Sequence, residues 1–295
     1  CGLMVGAKID FVDIDTETGN ISIDLLKKKL QIAKKNNKLP KIIIIVHFAG
    51  NPVNMKKIYK LSKNYKFKII EDACHALGGK IDNYPVGSCR YSNITTFSFH
   101  PVKNITSAEG GMICSNNKKI KKQVDLYRTH GIKKNVDKKV DLDKGWFYKQ
   151  YKLGYNYRLS DIHASLGLNQ LKNLEKFIKK RKDLSKIYDD NLDKKKFLPL
   201  SVNKNVKSGF HIYVIRIIDK KIIRKKVMNL LKSKNIGFQI HYMPIHLHPF
   251  YKKIGFKNGN FLNSEKFSKE ILTLPLHTLL TKKEILKVTN LLNNL

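Results

Sequence analysis

The stretch Thr95 to Met112, TTFSFHPVKNITSAEGGM, sets small hydroxyls and a histidine beside a single lysine, Lys103. A lysine whose pKa is lowered by its surroundings is a nucleophile toward carbonyl carbon and forms Schiff bases, pyridoxal phosphate (PLP) among its partners. Read alone, Lys103 is equally one more surface lysine in a lysine-rich chain. Asp72 closes the run FKIIED. PLP chemistry calls for a carboxylate at the pyridinium nitrogen, because the protonated ring is the better electron sink; an N-cap or a structural ion pair is the plain alternative. His75, three residues on, could lie against such a ring or be a hydrogen-bonded core histidine. Ser98 could donate to a phosphate. Asn156 and Arg158, in GYNYRL ahead of a helix, suit anion binding as well as they suit a turn. His241, His246 and His248 of HYMPIHLHP raise the question of a metal, and the lack of paired carboxylates or thiols nearby argues against one. There is no GxGxxG, Walker A or GxSxG motif, so dinucleotide, P-loop and hydrolase readings lack support.

These residues need elements to hold them. From Thr95 to His100 the chain alternates with period 2, Thr96, Ser98 and His100 on one side and Thr95, Phe97 and Phe99 on the other, as in a half-buried strand. Pro101 ends that strand because it cannot donate a ladder hydrogen bond, and Gly110-Gly111 frees the backbone for a return. Lys103 then lies just past the C-terminal end of a strand, where ligands bind in open α/β sheets. Ala7 to Asp15 reads as a strand, and Ile21 onward as a helix with Ile23, Leu25, Leu26 and Leu30 on one side. Lys41 to Phe48, KIIIIVHF, is a continuous β-branched run, the pattern of a parallel strand buried on both faces. Asn51 reads as the N-cap of a helix with Pro52 at its first position and an apolar stripe of Ile58, Leu61 and Tyr65. Phe67 to Cys74, Asn93 to His100 and Gly111 to Ser115 are further strands. This βαβ progression predicts an α/β layer with a mostly parallel sheet. A polar, lysine-rich stretch, Lys118 to Lys144, leads into aromatic-rich Trp146 to Leu159, and a helix runs from Ser160 to about Lys180. Beyond it, His211 to Ile218 and Gly237 to Tyr242 read as strands, Lys225 to Lys232 and Thr281 to Leu295 as helices, together a small α+β domain.

Length and composition bound the function. A chain of 295 residues with 42% hydrophobic and 27% charged residues is long enough to bury a core and ordinary for a globular protein. Its formal charge of +35 is not ordinary and points toward polyanions. Lysine outnumbers arginine by 52 to 6, however, and is spread over the whole chain, whereas nucleic-acid readers lean on arginine. No specific nucleic-acid site is expected, and a small polyanion such as a nucleotide sugar is favoured. Four cysteines without a CxxC pair fit a reduced, cytoplasmic setting. No apolar run is long enough for a membrane span, so no membrane partner is expected. The chain opens on Cys-Gly-Leu-Met-Val-Gly-Ala, which reads like the middle of a fold.

The segments HFAGNPVNM, IIEDACHALGG, VGSCRYSNITTFSFHPVKNITSAEGGM and GYNYRLSDIHASLGLNQL resemble the PLP-dependent sugar-nucleotide aminotransferases of the DegT/StrS type, fold type I. The resemblance extends from near Cys1 to the C-terminus. It implies an α/β fold with a mostly parallel large domain over residues 1–159, N-terminally incomplete, and a long connecting helix with a small C-terminal α+β domain over 160–295. It implies that Lys103 carries the cofactor, Asp72 pairs with the pyridine nitrogen, Ser98 binds the phosphate and His75 sits by the ring. Asn156 would reach the partner subunit's cofactor phosphate, making the active unit a homodimer with shared sites. His241 and Tyr242 match a segment that lines the sugar-nucleotide site. The activity implied is that of the family's pseudaminic acid branch: transfer of an amino group from glutamate to the 4-keto carbon of a UDP-4-keto-6-deoxy-N-acetylhexosamine. Relatives acting as dehydratases carry histidine where Lys103 stands, so transamination is favoured. Another keto-sugar nucleotide is the nearest alternative, and an inactive polyanion-binding scaffold the alternative of another class. The family's early strands, phosphate loop and ring-stacking aromatic are expected from a segment preceding Cys1.

Overall fold

The computed structural model describes residues 1–134 and 148–295; Trp146 and the end of the lysine-rich stretch lie outside the described residues. Helix α1 (Ile23–Lys35) starts where the Ser22 hydroxyl accepts the Leu25 N–H and ends in Lys34 and Lys35, both matched to the helix dipole. It buries Leu26 and Leu30. There follow β1 (Ile42–Val46), α2 (Met55–Tyr65), β2 (Lys68–Asp72), the short strands β3 (Lys80–Ile81) and β4 (Tyr84–Pro85), β5 (Ile94–Ser98) and β6 (Gly111–Cys114). Next come α3 (Lys118–Tyr127), β7 (Ile132–Lys134), β8 (Tyr148–Gln150), α4 (Asp161–Lys172) and α5 (Leu174–Asn191). The C-terminal part holds β9 (Phe197–Pro199), β10 (Val206–Lys207), β11 (Tyr213–Ile217) and α6 (Arg224–Ser233), then α7 (Pro249–Lys253), α8 (Leu262–Glu270), β12 (Ile271–Leu274) and α9 (Lys282–Asn293).

Strands β1, β2 and β5 pair in parallel, with Val46, Asp72 and Thr96 in register, and β6 returns antiparallel to β5. The remaining sheets, β10–β3–β4, β12–β11–β9 and β7–β8, are antiparallel throughout. The expectation of a mostly parallel sheet is therefore corrected: of eight strand pairings among the described residues, six are antiparallel. A parallel crossover needs a long connection, usually a helix, and the chain between Ser98 and Gly111 has none.

Local expectations shift in five further places. The KIIIIVHF run is not buried on both faces: Ile45 is fully buried, but Ile42, Ile44 and Val46 are 52%, 53% and 47% exposed, and nothing among the described residues covers that side. Helix α2 is capped by Asn54, whose side chain accepts the Lys57 N–H, not by Asn51. The helix starts late because the Val53 N–H donates to His47 Nδ1 (3.1 Å). Residues 7–15 make no strand; Ile14 forms one isolated bridge to Ile21, while Asp13 accepts the Asn263 and Ser264 N–H groups at the start of α8. Gly237 to Tyr242 likewise contributes only a bridge from Gln239 to Thr273. The helix expected from Ser160 is two, since Asn173 leaves helical geometry and turns its amide onto the Asn169 carbonyl (3.2 Å).

One core packs α1 and α2 against the first sheet through Leu26, Leu30, Ile45, Met55, Ile58, Ile69 and Phe97. A second joins α5, α6 and α9 to β9, β11 and β12 through Leu184, Tyr188, Phe197, Ile215, Leu231 and Ile285. Phe48, Val214, Phe267 and Ile271 form a third cluster between them.

Candidate active site

Asp72 ends β2, and its Oδ1 accepts the Cys74 N–H (3.1 Å), so the carboxylate itself shapes the turn that follows. Lys103 sits one turn past β5, its N–H closing on the His100 carbonyl (3.0 Å). Its side chain is half-buried. Burial lowers its pKa against the opposing pull of Cys74 and Asp72, which places all three within electrostatic reach. Burial pushes the Cys74 thiol up to about 12, with Asp72 adding to the rise, so this cysteine stays protonated.

His75 is pushed down to about 4, first by burial and then by the Lys103 charge. Its ring centroid lies 4.4 Å from that of His211, and its Nδ1 is buried without a hydrogen-bond partner. His211, at 5% exposure, is pushed down to about 2 by burial, then by His75 and Lys103. Its Nδ1 meets Asn104 Oδ1 at 3.1 Å, and the Asn104 amide donates to the Leu77 and Gly209 carbonyls (2.9 and 2.7 Å). With the amide nitrogen so committed, Oδ1 is the acceptor and His211 Nδ1 carries the proton. Asn104 thereby ties the residue next to Lys103 to the His75 loop and to the entry of β11. Gly50 permits this convergence: at φ +93° it brings the chain so close that a Cβ would stand 2.9 Å from His211 N and 3.0 Å from His75 O.

His241 Nδ1 pairs with Thr273 Oγ1 (2.8 Å), and burial followed by the Lys103 charge lowers its pKa. Burial and the Asp72 charge raise that of the half-exposed Tyr242. Asp72, His75, Lys103, His241 and Tyr242 are thus brought together. Ser98 lies two residues past Thr96, which is in register with Asp72; its Oγ accepts the His100 N–H (3.3 Å). Asn156 is exposed, bridges Thr129 through its backbone, and makes no hydrogen bond to the other candidates among the described residues. His246 is paired with Glu265 (2.9 Å), and no group of three or more metal-ligating side chains occurs among the described residues. Sequence reasoning missed Asn104 and His211. The only local signal was a polar residue directly after Lys103 and a histidine opening the HIYVIRII run.

This donor set fits PLP. A half-buried amine of lowered pKa meets an aldehyde, a carboxylate at the neighbouring strand end meets a ring nitrogen, and the unpartnered His75 Nδ1 offers one polar contact to an oxygen-bearing ring. No helix among the described residues is long and apolar enough to cross a membrane.

Residues 2–293 match the model of the DegT/DnrJ/EryC1/StrS aminotransferase family. The chain is 37% identical over 284 residues to the UDP-4-amino-4,6-dideoxy-N-acetyl-beta-L-altrosamine transaminase of Campylobacter jejuni, covering 96% of this chain and 72% of that protein. Among solved structures it resembles Helicobacter pylori PseC, an aminotransferase involved in the biosynthesis of pseudoaminic acid, with a TM-score of 0.88 at 29% identity over 99% of this chain and 74% of that one. A DegT DnrJ EryC1 StrS aminotransferase from Brucella abortus gives 0.86 at 26%, covering 99% and 74%.

Proposed function

The chain belongs to the DegT/DnrJ/EryC1/StrS aminotransferase family, and from that membership we propose that it transfers an amino group from glutamate to the 4-keto carbon of a UDP-4-keto-6-deoxy-N-acetylhexosamine. Fold type I, PLP as cofactor and a sugar nucleotide as substrate follow from the family. The 4-keto position and the pseudaminic acid branch draw support from the Campylobacter relative and from the likeness to PseC. The observation that carries the reading is the Lys103 amine, desolvated past the end of β5 and within electrostatic reach of Asp72 and His75.

When bound, PLP supplies an electron sink for the bond broken at the amino donor's Cα. The residues do the rest. Lys103 holds the cofactor through Nζ, which burial keeps closer to the neutral, nucleophilic form. The same Nζ, when free, would take the donor's Cα proton and later return one to the sugar carbon. Asp72 keeps the ring nitrogen protonated. His75 stays neutral at working pH and so adds no second cation beside Lys103. Ser98 takes the phosphate, and His241 and Tyr242 face the sugar nucleotide. Asn156 reaches the partner's phosphate in a homodimer, which suits its exposed position. In this reading residues 1–159 bind the cofactor, residues 160–295 supply the connecting helices and the small domain, and the protein works in the cytoplasm, in keeping with four free cysteines.

The test is product analysis. PLP-loaded protein with glutamate and the UDP-4-keto sugar should yield 2-oxoglutarate and a UDP-4-amino sugar. Turnover of a 3-keto isomer with the 4-keto sugar inert would place the chain on another keto-sugar nucleotide.

A further inference from the structure

Directly behind Asp72, on the opposite face of β2, a carboxylate is buried. Glu71 is 3% exposed, yet it is surrounded by donors. His47 Nε2 lies 2.8 Å from Oε2, Thr95 Oγ1 donates to Oε1 at 3.1 Å, and Ser92 Oγ donates to the same oxygen. The Val53 N–H donates to His47 Nδ1 (3.1 Å), so Nδ1 is an acceptor and Nε2 carries the proton. The imidazole is therefore a neutral donor, and the cluster holds one net negative charge. Burial pushes the Glu71 carboxyl up, but the hydrogen bond and electrostatic attraction of His47, with the hydrogen bonds from Ser92 and Thr95, bring it below the usual range.

The three donors come from different places. His47 follows β1, Thr95 is in β5 in register with Glu71, and Ser92 precedes β5. A buried ion is a weak source of stability, since well-packed apolar side chains often do as well. What a fully satisfied network adds is a single geometry. Here that geometry governs the strand ends that carry the proposed cofactor contacts. The His47 N–H donates to the Asp72 carbonyl (3.1 Å), the Ala73 N–H to the Thr96 carbonyl (2.9 Å) and the Cys74 N–H to the Asp72 carboxylate (3.1 Å).

We propose that Glu71 is a positioning residue: its carboxylate, shared by His47, Ser92 and Thr95, clamps the ends of β1, β2 and β5 and so holds Asp72 in one orientation toward the cofactor. The cofactor half of this statement rests on the reading of Asp72 given above; the clamp itself does not.

Hydrogen exchange on the full chain without PLP separates the two. In Glu71→Gln the amide oxygen keeps the His47 Nε2–H only by turning its NH2 onto Ser92 and Thr95, whose hydroxyls must then reverse and accept. The charge that strengthened all three bonds is also gone, which weakens the clamp at nearly constant volume. The Ala73 and Cys74 amides should then exchange roughly tenfold faster, as expected for the loss of one charge-assisted hydrogen bond, with the amides of α9 unchanged. PLP affinity, read from the visible band, should fall by about the same factor. Thr95→Val removes a single donor and should shift both readouts the same way by less; it decides the matter if Glu71→Gln does not fold. Unchanged Ala73 and Cys74 exchange in the folded variant would overturn the proposal. So would acceleration spread equally over α9, which marks a merely structural role. Asp72→Asn serves as the control. If it binds PLP as the wild type does, the reading of Asp72 fails, while the exchange data still decide the clamp.

Discussion

At the scale of the residue, the site keeps its histidines uncharged beside one amine and one carboxylate. His75 and His211 take up protons in the folded chain only near pH 4 and 2, against 6.5 for an ordinary histidine. The groups facing them are Lys103, Asp72, Arg181 and His241. Between pH 6.5 and 4 the unfolded chain therefore binds more protons, and stability falls as pH falls, by up to about 1.4 kcal/mol per unit and per histidine. Urea unfolding at pH 7 and pH 5 should show this loss, and His75→Gln should flatten it. A slope equal to that of the wild type would mean that His75 is protonated in the fold. The electrostatic meeting of Asp72 and Lys103 was legible in the sequence, because a period-2 run and a strand-ending proline are local signals. His211 was not, because it arrives from more than a hundred residues away and reaches the site only through tertiary packing.

At the scale of the element, side-chain hydrogen bonds override the patterns from which elements are read. His47 accepts the Val53 N–H, and the helix expected at Asn51 starts beyond Asn54. Asp13 binds the start of α8 where a strand was expected. The β-branched run of β1 announced a buried strand, but composition cannot say whether a neighbour covers each face, and one stays open. The antiparallel return of β6 follows from a connection whose lack of a helix carried more weight than the βαβ rhythm before it. At Gly50 the turn after β1 comes against the backbone of the His75 loop and of the entry to β11. Gly50→Ala meets backbone atoms at a left-handed φ, so it should destabilise the fold by about 1–3 kcal/mol. PLP affinity should drop with it. A thermal midpoint equal to that of the wild type would show that the close approach is relaxed in solution.

At the scale of the whole molecule, the proposed homodimer makes a prediction that no single chain can satisfy. Asn156→Ala and Lys103→Ala should each be poorly active, and mixing them should restore activity, because one of the two sites in each mixed dimer carries neither lesion. Failure to recover in mixed dimers shown to form would return Asn156 to its own subunit's site or remove it from the site. The overall charge bears on the central claim more directly. Fifty-two lysines compete for an aldehyde, and the account singles out Lys103 because burial lowers the pKa of its amine within electrostatic reach of Asp72 and His75. Borohydride reduction of the PLP-loaded chain, followed by peptide mapping, measures that choice. The label is expected on the peptide containing Lys103, with no label there in Lys103→Ala. Label spread over the surface lysines, or held mainly by another lysine, would contradict the account.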